Sequence, residues 1–267
     1  MSSWKNLSGF PGGRLILNDP TLEVAVLEML PKQPGDVAET HAESGAQILL
    51  VPNGSPYQRS KNDVRMNVAV ARVAESGLPL VYLNQVGGQD ELVFDGASFV
   101  LNANGELTHE LPAFESALGI VDIEQTAPVA GDVAQPLTVE ASVYSALKLG
   151  LADYVNKNRF PGVVLGMSGG IDSALTLAVA VDALGADRVH AVMMPSEFTA
   201  DISVNDAREM ATALGVQYSE IAIKGLFDQY LQALLPQFGD MPFDATEENL
   251  QARVRGTTLM GLSNQHG

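Results

Sequence analysis

Apolar positions along this chain switch repeatedly between short continuous runs and helical spacing, with glycine, proline and asparagine marking the joints. Residues 1–22 carry Gly9, Pro11, Gly12, Gly13 and Pro20 without a clear period and read as irregular. Glu23 to Leu30 predicts a strand, followed by a loop through Pro31, Pro34 and Gly35 and a short helix from Asp36 to about Ser44. Ala46 to Val51 is a buried strand that stops at the turn cluster Pro52-Asn53-Gly54-Ser55-Pro56. Helical spacing of Val64, Val68, Ala71 and Val73 predicts a helix over Asn62 to Ser76, with Gly77 as its stop. Strands are then expected at Leu78 to Asn84, Glu91 to Phe94 and Ala97 to Leu101, with a turn at Gly87-Gly88 and a hairpin signal at Asn104-Gly105.

From Val121 to Pro136 the pattern dissolves into acids, Pro128, Gly131 and Pro136, which reads as a linker. Beyond it, strand and helix alternate. Thr138 to Lys157 has an apolar stripe at Tyr144, Leu147, Leu151 and Tyr154. Strands follow at Gly162 to Leu165, Val189 to Met194 and Tyr218 to Ile223. Helices are expected at Ala174 to Leu184, Ser203 to Leu214, Leu226 to Leu235 and from about Thr246, with Pro236 to Asp244 irregular. Such alternation predicts a doubly wound parallel sheet with ligands at the C-terminal ends of its strands. The expected fold class is α/β, in three parts: residues 1–120, a linker at 121–137, and residues 138–267.

One joint carries chemistry. Gly166-Met167-Ser168-Gly169-Gly170-Ile171-Asp172-Ser173 connects the Gly162 to Leu165 strand to the following helix. A glycine-rich turn at a helix N-terminus leaves backbone N–H groups unpaired and places them in the positive end of the helix dipole, a cradle for phosphate. Ser168 and Ser173 can add hydroxyl donors. The loop lacks the Lys-Ser/Thr of the Walker pattern and does not fit G-x-G-x-x-G. It has Asp172 instead. A carboxylate beside phosphate oxygens repels them unless a cation lies between, so Asp172 is a candidate Mg²⁺ ligand. The bland alternative is a tight strand–helix turn with a serine cap.

Charge narrows the ligand. With 15 basic and 32 acidic residues the net charge is −17, which argues against general nucleic-acid binding. Polyphosphate must then be held by local donors and metal against the overall field. No apolar run approaches the length of about 20 residues that spans a membrane, and the N-terminus lacks a signal-peptide pattern. Cysteine is absent, which removes disulfides and thiol nucleophiles from these residues and is compatible with a cytoplasmic protein.

The S-G-G-x-D-S loop resembles the pyrophosphate loop of ATP pyrophosphatases. Together with His190-Ala191-Val192-Met193-Met194-Pro195-Ser196 and Thr246-Glu247-Glu248-Asn249-Leu250-Gln251-Ala252-Arg253-Val254-Arg255-Gly256, the stretch from about Tyr144 onward resembles glutamine-dependent NAD⁺ synthetase. The resemblance implies an adenine nucleotide α-hydrolase-like fold, with ATP contacts from Gly166, Met167, Ser168, Gly169, Gly170, Ile171, Asp172 and Ser173. It implies Asp172 as metal ligand, and ATP and Mg²⁺ as the required small molecules. It gives Asn249, with Arg253, to the nicotinic acid adenine dinucleotide (deamido-NAD) whose carboxylate is adenylated and then amidated. Arg253 and Arg255 could instead be surface residues paired with Glu247 or Glu248. Met193 and Met194 read as strand core.

The first half resembles the C-terminal part of a nitrilase-type glutaminase domain over about Asp36 to Phe114. The resemblance rests on Asn53-Gly54-Ser55-Pro56-Tyr57, Lys61 with Arg65, and the stretch from Tyr82 to Ser98. It implies a partial nitrilase-like α/β sandwich and glutamine contacts from Ser55 and Lys61. Without it, Ser55 is a turn hydroxyl and Lys61 a solvated helix-start lysine. The glutaminase Cys is expected near Leu27-Glu28-Met29-Leu30-Pro31-Lys32, and a methionine cannot form a thioester. No catalytic residue is therefore assigned, and no glutamine hydrolysis is expected of these residues.

The resemblance also implies that the family continues past Gly267 into a second nucleotide-contacting loop, so the chain reads as truncated at both ends. Homo-oligomerisation and small-molecule substrates follow from the same likeness. Two other readings are another pyrophosphate-loop amidotransferase, disfavoured by the nitrilase-like half, and a non-catalytic fragment that folds without turnover.

Overall fold

Two of the apolar runs, at Ile48–Asn53 and Val189–Met193, lie inside the two main sheets, each flanked by strands on both sides. The computed structural model describes residues 36–238 and 245–266, with the short strands Lys5–Asn6, Ile16–Leu17 and Val24–Val26. The loop expected at Pro31 to Gly35 and the Leu27 to Lys32 segment lie outside the described residues. The chain packs as two units, Met1–Gly150 and Leu151–Gly267, and the division falls inside one helix.

In the first unit, β1 (Lys5–Asn6) and β2 (Ile16–Leu17) form an antiparallel pair. The main sheet runs β3 (Val24–Val26), β4 (Ile48–Asn53), β5 (Leu80–Asn84), β8 (Phe99–Leu101) and β9 (Leu107–Glu110), in that spatial order. Strands β3, β4 and β5 are parallel because α1 (Asp36–Glu43) and α2 (Lys61–Ser76) serve as crossovers. β8 and β9 are antiparallel, joined by the Asn104-Gly105 turn, where Gly105 has φ +80°. Between β5 and β8 the chain makes a hairpin of β6 (Val86–Gln89) and β7 (Leu92–Asp95).

Alternation places Leu49, Val51, Leu80, Tyr82, Phe99 and Leu101 on one face, packed against Ala38, Ala69 and Val73 of the two helices. Tyr82 stacks on Phe99 with ring centroids 4.7 Å apart. Helix α2 ends where the periodicity predicts, with Gly77 at φ +67° returning its N–H to the Val73 carbonyl.

The 121–137 stretch, expected as a linker, contains regular structure. It holds a hairpin of β10 (Ile123–Glu124) and β11 (Ala127–Pro128), turned through Gln125 (φ +50°) and Thr126 (φ +75°). Two consecutive left-handed residues make the favoured hairpin turn, but neither is the Gly or Asn that announces one.

In the second unit, the C-terminal turns of α3 (Val139–Lys157) lead into β12 (Val163–Met167), α4 (Ile171–Leu184), β13 (Val189–Met193), α5 (Asp201–Leu214) and β14 (Gln217–Glu220). The three strands are parallel in the order β12-β13-β14. One sheet face packs Val163, Leu165, Met167, Val189, Ala191 and Met193 against Leu177 and Ala180 of α4 and Ala207 and Ala211 of α5. The other packs Val164, Val192 and Met194 against Val254, Leu259 and Leu262 of α7 (Ala245–His266), with Ile223 at the start of α6 (Lys224–Phe238). Helices cover both faces, so the sheet is doubly wound. Helix α6 includes Pro236 in its last turn; residues 239–244 lie outside the described residues.

Candidate functional site

The 166–173 loop sits at the C-terminal end of β12, and α4 begins at Ile171, three residues before the periodicity places it. Ile171 and Leu175 are exposed, so the first turn of α4 lacks the apolar stripe that announces its later turns. Gly170 is extended at φ −89°, ψ 162° and serves as the cap residue. Gly169 has φ +76°, and a Cβ there would stand 2.3 Å from the carbonyl oxygen of Ser203. Only glycine fits, for both reasons. A side chain at Gly166 would press on Leu259 and Met194, each with an atom 3.2 Å away.

The two serines close the loop on itself. Ser173 Oγ donates to the Gly170 carbonyl at 2.9 Å, Ser168 Oγ and Ser173 Oγ are 3.0 Å apart, and Gly170 N–H donates to Ser168 Oγ at 3.2 Å. Ser168 N–H donates to Ser173 Oγ at 3.3 Å. With the Ser173 proton on the Gly170 carbonyl, Ser168 Oγ is the donor in the 3.0 Å contact and Ser173 Oγ the acceptor. The N–H groups of Gly169, Ile171, Asp172 and Ser173 have no hydrogen-bond partner among the described residues. They are the orphan donors a helix start leaves open.

Asp172 is exposed in the first turn of α4 and forms no ion pair among the described residues. No cluster of three or more His, Cys, Asp or Glu side chains surrounds it among those residues. A cation here would take one protein carboxylate and complete its shell with phosphate and water oxygens. That donor set suits Mg²⁺, which keeps several waters.

Asn249 and Arg253 lie one turn apart on an exposed face of α7. Arg255 is half-buried, and burial pushes its guanidinium pKa down. Leu259, which packs near Gly166, stands ten residues from Asn249, about 15 Å along the helix axis. Met193 and Met194 are both buried, on opposite sheet faces, as strand core.

In the first unit, Ser55 follows β4 and Lys61 opens α2. Arg65, one turn further and only 4% exposed, ties the turn down. Its Nη1 and Nη2 donate to Asp95 at 2.7 and 2.8 Å, its Nη2 donates to the Ser55 carbonyl at 2.7 Å, and its Nε donates to Ser55 Oγ at 3.1 Å. Asn84 accepts the Ser55 N–H at 2.9 Å and donates to the Ser55 carbonyl at 3.2 Å. Burial and the Arg65 charge lower the Lys61 pKa. The Tyr82 phenol is buried without a hydrogen-bond partner among the described residues, and burial raises its pKa. The sequence singled out Ser55, Lys61 and Arg65 but not Asp95 or Asn84 as partners, since no short-range spacing links positions 30 residues apart.

These two units define a class: a carbon–nitrogen hydrolase-type α/β unit followed by a doubly wound α/β unit of the NAD synthase type. Residues 35–129 match the family model described as carbon-nitrogen hydrolase, and residues 143–267 match that of NAD synthase. The chain is 50% identical over 236 residues to the glutamine-dependent NAD(+) synthetase of Rhodobacter capsulatus, covering 87% of this chain and 43% of that protein. It is 49% identical over 223 residues to that of Acinetobacter baylyi, covering 83% and 41%. The structure of glutamine-dependent NAD+ synthetase from Acinetobacter baumannii in complex with adenosine diphosphate superposes with a TM-score of 0.84 at 41% identity. That match covers 99% of this chain and 49% of that one. The chain belongs to the glutamine-dependent NAD(+) synthetase family, and it spans less than half the length of these relatives.

Proposed function

We propose that the second unit binds ATP through Gly166 to Ser173, with Mg²⁺ held by Asp172, and serves the ATP-dependent amidation of deamido-NAD to NAD⁺. The observation that carries this reading is the set of four unpaired loop N–H groups beside the Asp172 carboxylate. The ADP-bound Acinetobacter baumannii relative supports an adenine nucleotide as ligand.

In this scheme a carboxylate oxygen of deamido-NAD attacks the α-phosphorus of ATP, and pyrophosphate leaves. The loop amides hold the pyrophosphate oxygens as their charge grows, a gain made in the transition state. The cation supplies charge neutralisation at those oxygens. Ammonia then attacks the acyl carbon of the adenylate, and AMP leaves. Asn249 and Arg253 hold the dinucleotide, Arg253 through the fork geometry that suits phosphate.

The first unit holds glutamine through Ser55 and Lys61. These 267 residues contain no thiol, so this chain by itself draws on free ammonia. The working division is 1–120 for the glutaminase-type part, 121–137 for the connection and 138–267 for the synthetase part. A homo-oligomer in the cytoplasm, without nucleic-acid partners, fits this role. No helix among the described residues is long and apolar enough to cross a membrane.

Incubation with ATP, Mg²⁺, ammonium and deamido-NAD is expected to give NAD⁺, AMP and pyrophosphate in equal amounts. Release of ADP would overturn the adenylation scheme.

A further inference from the structure

The Ser55 turn is held from three sides, and one of its contacts constrains where a proton can go. Ser55 N–H goes to Asn84 Oδ1 at 2.9 Å, and its carbonyl accepts from Arg65 Nη2 at 2.7 Å and from Asn84 Nδ2 at 3.2 Å. Its hydroxyl oxygen accepts from Arg65 Nε at 3.1 Å. A serine hydroxyl has one proton, and none of the described residues takes it in hydrogen-bonding geometry. The buried Tyr82 phenol lies close enough for the Ser55 hydroxyl to act on its ionisation, but the two are not bonded.

We propose that Arg65 is a positioning residue of this subsite, which occupies the Ser55 oxygen from the protein side and leaves the Ser55 hydroxyl proton for an oxygen of the ligand. Local charge indicates the kind of oxygen. Lys61 stands at the first residue of α2, where the helix dipole is also positive, and Asp95 is already engaged by Arg65 through both of its oxygens. An anionic oxygen, such as the carboxylate of an amino acid, fits that field. The assignment rests on the proposal that Ser55 and Lys61 hold glutamine.

L-Glutamine is the probe, titrated into the full chain by calorimetry, and the Arg65 Nε–H resonance is followed by NMR. The account expects that resonance to move in Ser55→Ala without ligand. It expects Ser55→Ala and Arg65→Lys each to weaken glutamine by about tenfold, the loss of one hydrogen bond to a charged group. In the double variant the loss of affinity should be no greater than in either single one. Because a lone buried Asp95 could prevent folding, Arg65→Gln paired with Asp95→Asn provides a second variant with the same expected loss. Additive losses of affinity would overturn the positioning role while leaving glutamine as ligand. No response of the wild-type chain to glutamine, with the Arg65 resonance still dependent on Ser55, would remove glutamine and this role with it.

Discussion

Gly169 and Ser203 approach so closely that a single added carbon on the glycine would stand 2.3 Å from the Ser203 carbonyl oxygen and 2.5 Å from its Cα. The contact fastens the 166–173 loop to the N-terminal turn of α5, and both segments lie at the C-terminal edge of the same parallel sheet. Gly169→Ala therefore meets backbone, which cannot rotate away as a side chain could. The left-handed φ alone costs about 1–2 kcal/mol. Thermal unfolding should show that loss, and nucleotide affinity should fall further because the loop amides shift. A variant with wild-type melting temperature and wild-type ATP affinity would mean the loop conformation is different from the one described.

Asp172 tests the cation bridge. Asp172→Asn keeps the shape and removes the charge. ATP affinity in the presence of Mg²⁺ should drop at least about tenfold, the scale of one lost charge-assisted contact. With a chelator present, the same variant should bind ATP no worse than wild type, because the carboxylate then only repels phosphate. Isothermal titration in both conditions checks the pair of expectations.

Asp95→Ala leaves the Arg65 guanidinium buried without its carboxylate partner. Removing one member of such a pair costs about 3–5 kcal/mol. Denaturant unfolding of the whole chain should show a shifted midpoint of the first transition, with the pyrophosphate loop still competent for ATP.

Tyr218 predicts behaviour at high pH. Its hydroxyl oxygen is buried and lacks a hydrogen-bond partner among the described residues, and burial with the neighbouring Glu220 carboxylate pushes its pKa up to about 12. The unfolded phenol loses its proton near 10, so between 10 and about 12 the folded state binds more protons. Stability therefore falls as pH rises through that window. Tyr218→Phe should flatten this limb of the pH–stability curve.

Much of this architecture is legible along the chain because the signals are local. Gly77 and Gly215 stop α2 and α5 where the periodicity ends, and the glycines and serines of 166–173 announce their loop without any knowledge of tertiary contacts. The 123–128 hairpin is illegible because Gln125 and Thr126 turn left-handed without the usual turn residues. The early start of α4 is hidden by Ile171 and Leu175, which face outward and break the buried stripe. The Arg65–Asp95 pair depends on β7 returning beside α2, a tertiary fact. Asp172 shows the opposite limit. The motif proposes it as a cation ligand, and the oxygens that would complete a cation shell belong to the proposed ligand.

The decisive measurement is a ¹⁵N-resolved NMR titration of the chain with ATP and Mg²⁺. The N–H resonances of Gly169, Ile171, Asp172 and Ser173 should shift together and saturate with one affinity, and inorganic pyrophosphate should move the same four. If ATP binds while those four stay still, or if nothing in the second unit responds to ATP and Mg²⁺, the phosphate cradle is contradicted.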